Sequence, residues 1–133
     1  MTLSEFNRFC KSLPHTNTVV QWGGAHVWKV ATKVFAIARD ENGFETSFKC
    51  SRFSFDLLKT QKGLRPAPYL ASRGMSWIQY FSDESMDDAA LKDYLRESHR
   101  LASQNLSKKL QRELGFIDLL GRPKQLMAHF ASW

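Results

Sequence analysis

The tightest constraint on this chain is a turn. Asp40-Glu41-Asn42-Gly43 stands between two β-rich runs, residues 33–39 and 44–50. Asn and Gly accept the positive φ that a tight reversal demands, so the two runs must lie side by side and antiparallel. The same reading extends backwards. Gly23-Gly24 separates the run 18–22 from 26–30, and the short Ala31-Thr32 step separates 26–30 from 33–39. Four strands in a meander follow, and residues 75–81, with Trp77, Ile78 and Tyr80, supply a fifth.

Helices flank this sheet. Thr2 with Glu5 three residues on is a capping box, after which Leu3, Phe6, Cys10 and Leu13 recur at helical spacing until Pro14. A short helix opens at Ser51 or Arg52 and runs through Lys59, with Phe53, Leu57 and Leu58 as its expected buried face. Pro66 and Pro68 exclude helix from the basic segment 64–69, which reads as a loop. Ser85 with Asp88 starts the longest helix, whose face is kept by Leu91, Tyr94, Leu95, Ser98, Leu101 and Ala102. Weak propensity at Asn105-Leu106-Ser107 predicts a break before a last helical stretch, 108–114.

The expected architecture is therefore a two-layer α+β domain: a five-stranded antiparallel sheet with helices on one face, in the order α-β-β-β-β-α-β-α. It spans residues 1–114. Residues 115–133, rich in Leu, Phe and Trp, form an apolar extension expected to dock on the domain or on a partner. At 133 residues a single core suffices without a staple. Cys10 and Cys50 are too few for a disulfide framework, and nothing resembles a signal peptide or a membrane span, so the expectation is a cytoplasmic monomer with no membrane partner.

The chain holds 19 Lys and Arg against 13 Asp and Glu, a formal charge of +6, which favours polyanionic partners. Within residues 51–80 five bases, Arg52, Lys59, Lys62, Arg65 and Arg73, face the single acid Asp56. From 81 to 114 acids and bases nearly balance. The positive excess has an address in the middle of the chain.

Phe48-Lys49-Cys50, then Arg65-Pro66-Ala67-Pro68-Tyr69-Leu70, Trp77, Glu97-Ser98-His99-Arg100-Leu101 and Leu106-Ser107-Lys108-Lys109-Leu110 occur in an order and spacing that resembles the MmcQ/YjbR family. The resemblance runs from about Leu3 to Leu114 and implies a frataxin (CyaY-like) fold. It also implies DNA binding, the label the family commonly carries. Ser107 departs from the proline that many relatives have there, and nothing is carried onto the extension.

Catalytic chemistry finds little support. Cys50, beside Lys49 and Arg52, is the one tempting nucleophile, yet no histidine stands at a telling offset, and Cys10 lies on an apolar stripe. His15, His26, His99 and His129 lack paired metal-ligand spacing. Asp83, Glu84, Asp87 and Asp88 read as helix-start acids, and the first helix carries only Glu5, so the iron chemistry of frataxins is not carried over. Neither enzyme, metal nor cofactor is expected. What remains is a combination of bases and aromatics: Lys49, Arg52, Arg65, Arg73, Lys108 and Lys109 with Tyr69 and Trp77. Bases neutralise phosphates and exposed rings stack on nucleobases, so the expectation is a DNA-binding protein with little sequence specificity. The alternative is a protein-interaction or chaperone-like adaptor, in which residues 66–70 and the apolar tail form the partner surface.

Overall fold

In the computed structural model, residues 1–124 are described. The first helix, α1 (Leu3–Ser12), starts as its capping box requires: the Thr2 hydroxyl accepts the Glu5 N–H at 3.1 Å, and the Glu5 carboxylate accepts the Thr2 N–H at 3.3 Å. Its inner stripe is Phe6 and Cys10, both wholly buried. Four strands then form the meander: β1 (Thr16–Gln21), β2 (Ala25–Val30), β3 (Lys33–Asp40) and β4 (Phe44–Lys49). Gly43, at φ 102°, makes the reversal between β3 and β4 that its neighbours Asp40 and Asn42 announce.

After α2 (Arg52–Leu58) the sheet has six strands, not five. The addition is β5 (Leu64–Pro66), which pairs antiparallel with β6 (Trp77–Tyr80) through Leu64↔Tyr80, Arg65↔Gln79 and Pro66↔Ile78. The prolines that argued for a loop are compatible with an edge strand. Ala67 N–H donates to Trp77 O at 2.9 Å, so by alternation the amide position of Pro66 faces away from β6 and no ladder bond is lost. The sheet order is β1-β2-β3-β4-β6-β5, antiparallel throughout.

The long helix α3 (Asp88–Ser103) packs across β2, β3 and β4, and α1 lies beside it against β1 and β3. Asp87, not Ser85, caps α3, its carboxylate accepting the Ala90 N–H at 2.8 Å. Between sheet and helices sits a core of Phe6, Phe35, Phe48, Ile78, Leu91 and Leu95. The β2–β3 register slips at Trp28/Lys29: Trp28 faces Ala36 but Lys29 faces Val34, leaving Phe35 as an extra residue. This bulge turns Phe35 and Ala36 inward together, and Phe35 meets the His99 ring edge-on at 5.2 Å.

Ser98, in the middle of α3, is wholly buried and ties three elements together. Its hydroxyl donates to the carbonyl of the bulged Phe35 at 2.6 Å and accepts the backbone N–H of Lys49, at the end of β4, at 2.8 Å. His99 beside it donates from Nε2 to Pro14 O at 2.8 Å, and burial pushes its pKa below the ordinary value.

The break after α3 falls where propensity placed it. Ser107 caps the short α4 (Lys108–Glu113), accepting the Leu110 N–H at 3.1 Å, so serine is sufficient to start this helix. Buried Gln111 donates to the carbonyls of Leu106 at 2.7 Å and Gln104 at 3.2 Å, which the broken helix leaves open. The expected face of α2 is wrong in part. Phe55 and Leu58 are buried, whereas Phe53 and Leu57 are exposed, because α2 packs mainly on β5 and β6 and needs a single narrow stripe.

Beyond Gly115 the chain returns to the domain: Phe116 joins the core, 5.5 Å from the His15 ring and 5.8 Å from that of His99. Asp118 then organises a turn, accepting the N–H groups of Leu120 and Arg122, bonds that lower its pKa. The docking expected of the whole extension concerns residues 125–133 as well, and these lie outside the described residues.

Candidate nucleic-acid interface

Strand register decides which of the candidate residues share a surface. Lys49 pairs with Trp77, and Arg65 with Gln79, which pairs in turn with Ser47. These positions lie on the sheet face turned away from α1 and α3, since their neighbours Phe48, Ile78 and Tyr80 point into the core. By the same alternation Lys29 and Arg39 stand on this face too, and Glu45, opposite Arg39, is its acid.

A groove on this face, about 310 Å³, is walled by Val34, Ile37, Leu70, Met75 and Trp77, with Lys33, Lys49 and Trp22 beside them, and it reaches Ala102 and Asn105 at the end of α3. Neither lysine forms an ion pair among the described residues. Arg65 is more constrained: its Nε donates to Gln79 Oε1 at 2.6 Å and its guanidinium lies 4.9 Å from the Phe81 ring centre, leaving an exposed cation held in one orientation. Arg39 is spent locally, donating to the carbonyls of Trp22 and Gly23 and so curling the β1–β2 turn toward this face.

Of the eight residues singled out from the sequence, Lys49, Arg65 and Trp77 are brought onto one face. Trp77 cannot act as proposed for it. It is 4% exposed, so its ring is part of the wall rather than a stacking platform. Its Nε1–H is buried with no hydrogen-bond partner among the described residues. Tyr69 is 86% exposed and Arg73 is exposed; both lie in the connection 67–76, which lends Leu70 and Met75 to the groove. The remaining three project from helices: Arg52 is paired with Asp56 at 3.6 Å and stacked on Phe55, and Lys108 and Lys109 open α4.

The residues that sequence reasoning missed are Lys29, Lys33 and Trp22. Trp22 is 59% exposed at φ 52°, and is the exposed indole that Trp77 was expected to be. Lys29 has the same parity in β2 as Val27, which is buried on this outer face between Val19 and Ile37, but relating parity between strands needs a register.

Both thiols are buried, and burial raises both pKa values, that of Cys50 to about 11. Cys50 Sγ faces Ser76 O at 3.6 Å, and this contact supplies no base to ionise it. Among the described residues no cluster of His, Cys, Asp and Glu is arranged to hold a metal ion, and no helix is long and apolar enough to cross a membrane.

These features define an α+β protein built on one antiparallel sheet with a cationic face. The architecture is similar to that in the crystal structure of the Deinococcus radiodurans protein DR2400, described as a DUF419 domain. That match has a TM-score of 0.75 at 20% identity, over 86% of this chain and 88% of the other. A crystal structure of a protein from Pseudomonas syringae matches with a TM-score of 0.63 at 16% identity, over 77% of this chain and 99% of the other. The chain belongs to the YjbR family, whose model matches residues 11–101. Among curated proteins no match to the chain was found.

Proposed function

We propose that this YjbR-family domain is a non-enzymatic nucleic-acid-binding module, a cytoplasmic monomer that holds DNA by its phosphates on the sheet face opposite α1 and α3. One observation carries the reading: register gathers Lys29, Lys49 and Arg65 on that face, with Lys33 at its groove and Glu45 as the acid among them. Trp22 and Tyr69 supply exposed rings at its borders. A surface of this kind reads charge and shape, not base edges, so low sequence specificity follows.

The test is a titration of random duplex DNA at two salt concentrations, with the variant Lys29→Glu/Lys49→Glu/Arg65→Glu beside the parent. Each phosphate contact contributes about −0.9 to the log-log salt slope, so the triple variant flattens the slope by about 3 and loses most of the affinity. The control reverses Lys92, Arg96 and Arg100 on α3. Arg96 and Arg100 are already answered by Asp93 at 2.6 Å and Glu97 at 2.8 Å, and this variant retains binding. If the parent does not bind at low salt, the adaptor reading replaces this one.

A further inference from the structure

A second groove lies on the other side of the sheet, between α1 and the β1–β2 hairpin, with a volume of about 530 Å³. Ser4, Asn7, Arg8 and Lys11 of α1 form one wall, and His26 and Trp28 stand on the sheet side. No acid lines it. Arg8 and Lys11 are exposed and form no ion pair among the described residues. The acid of α1, Glu5, is engaged by the capping box at the helix start.

The polar groups behind these cations are fixed by a relay. An indole N–H can only donate, so Trp28 Nε1, 2.9 Å from Asn7 Oδ1, identifies that atom as the amide oxygen. The Asn7 Nδ2 then donates to His26 Nδ1 at 3.2 Å, which leaves the imidazole proton on Nε2. His26 therefore presents an N–H that has no partner among the described residues. The groove offers a guanidinium, an ammonium, an imidazole N–H and the Ser4 hydroxyl, with no anionic group among its described lining residues to oppose a ligand. Groups with several terminal oxygens and up to two negative charges match such a donor set. The volume exceeds that of a bare phosphate and falls within the range of small-ligand sites.

We propose that this groove binds a small phosphate monoester of nucleoside-monophosphate size, its phosphate held by Arg8 and Lys11 and its body lying over His26. The site is on the opposite side of the sheet from Lys49 and Arg65, so it stands or falls independently of nucleic-acid binding.

The experiment titrates ¹⁵N-labelled protein with adenosine 5′-monophosphate, inorganic phosphate and adenosine, following the indole N–H resonances of Trp28 and Trp77 and the side-chain amide of Asn7. The monophosphate produces saturable shifts at Trp28 and Asn7 while Trp77 stays still. It binds about tenfold or more tighter than adenosine, and also tighter than inorganic phosphate. Arg8→Ala/Lys11→Ala, both exposed positions, keeps the folded spectrum and loses about tenfold or more in affinity. The proposal is overturned by an absence of saturable shifts up to about 10 mM of every probe. It is equally overturned by equal affinity for adenosine, by parallel movement of Trp77, or by unchanged binding in the double variant.

Discussion

Replacing Ser98 with alanine removes one oxygen atom and leaves two buried backbone groups without partners. The Phe35 carbonyl loses its 2.6 Å donor and the Lys49 N–H its 2.8 Å acceptor. Ser98 is wholly buried, so solvent does not take the place of the hydroxyl. An orphaned buried polar group costs about 1–3 kcal/mol, so the pair costs about 2–6 kcal/mol. For a domain of this size that corresponds to a fall of roughly 10 °C in melting temperature. Urea denaturation followed by tryptophan fluorescence measures the difference directly. Ser103→Ala is the matched comparison: that serine is also buried, but its hydroxyl donates only to Arg100 O, one turn back in its own helix, at 2.7 Å. The expected loss there is below about 1 kcal/mol. If Ser98→Ala costs less than about 0.5 kcal/mol, the serine does not fasten α3 to the bulge and to β4, and the account of how Lys49 is positioned fails with it.

Two further outcomes follow from the packing. Gly63, at φ 83°, has no room for a side chain, since a Cβ would stand 2.5 Å from Ser82 Oγ and 2.6 Å from Ser82 O; Gly63→Ala lowers stability by about 2 kcal/mol or more. Gly115→Ala, at φ 81° with nothing within 4 Å, costs only the backbone strain of about 1 kcal/mol, and equal urea midpoints for the two variants would remove the close approach as the cause. For His99 the folded pKa lies below the unfolded one, chiefly through burial. The unfolded chain therefore takes up the proton first. Stability is complete above the ordinary histidine range and is lost as pH falls from there toward the depressed value. Melting temperature should drop more between pH 7.5 and pH 5.5 in the parent than in His99→Gln, and parallel curves would assign the dependence elsewhere.

The meander was legible because its turns carry their own chemistry: Asp40-Glu41-Asn42-Gly43 dictates a reversal whatever surrounds it. The capping box at Thr2 and Glu5 and the weak point before Lys108 are local signals of the same kind. β5 was missed because Pro66 and the nearby Pro68 speak against a strand in general, and only the sheet shows that Pro66 occupies an outward amide position. Phe53 and Phe55 are alike in the sequence. Which of them is buried depends on the direction from which β5 and β6 approach α2. The bulge at Phe35 leaves no mark in the sequence, although it decides the inward set of β3. At the site, Lys49, Arg65 and Trp77 were recognised as residue types, but their meeting on one face is a property of register. Lys29 and Trp22 went unnoticed because single-strand alternation does not say which parity faces the helices.

The two rims of the sheet differ in a way that bears on self-association. At one rim β5 is three residues long, ends in Pro66 and is backed by α2, which leaves little for another strand to join. At the other, β1 offers six residues of open backbone, with Val19 and Val20 exposed. Strand exchange between copies is thus available on one side alone. Were copies to pair at high concentration, the contact would join β1 to β1 across a twofold axis and use both open rims. The short, proline-ended β5 rim would then be all that such a pair offers to a third copy, a poor template for fibre growth.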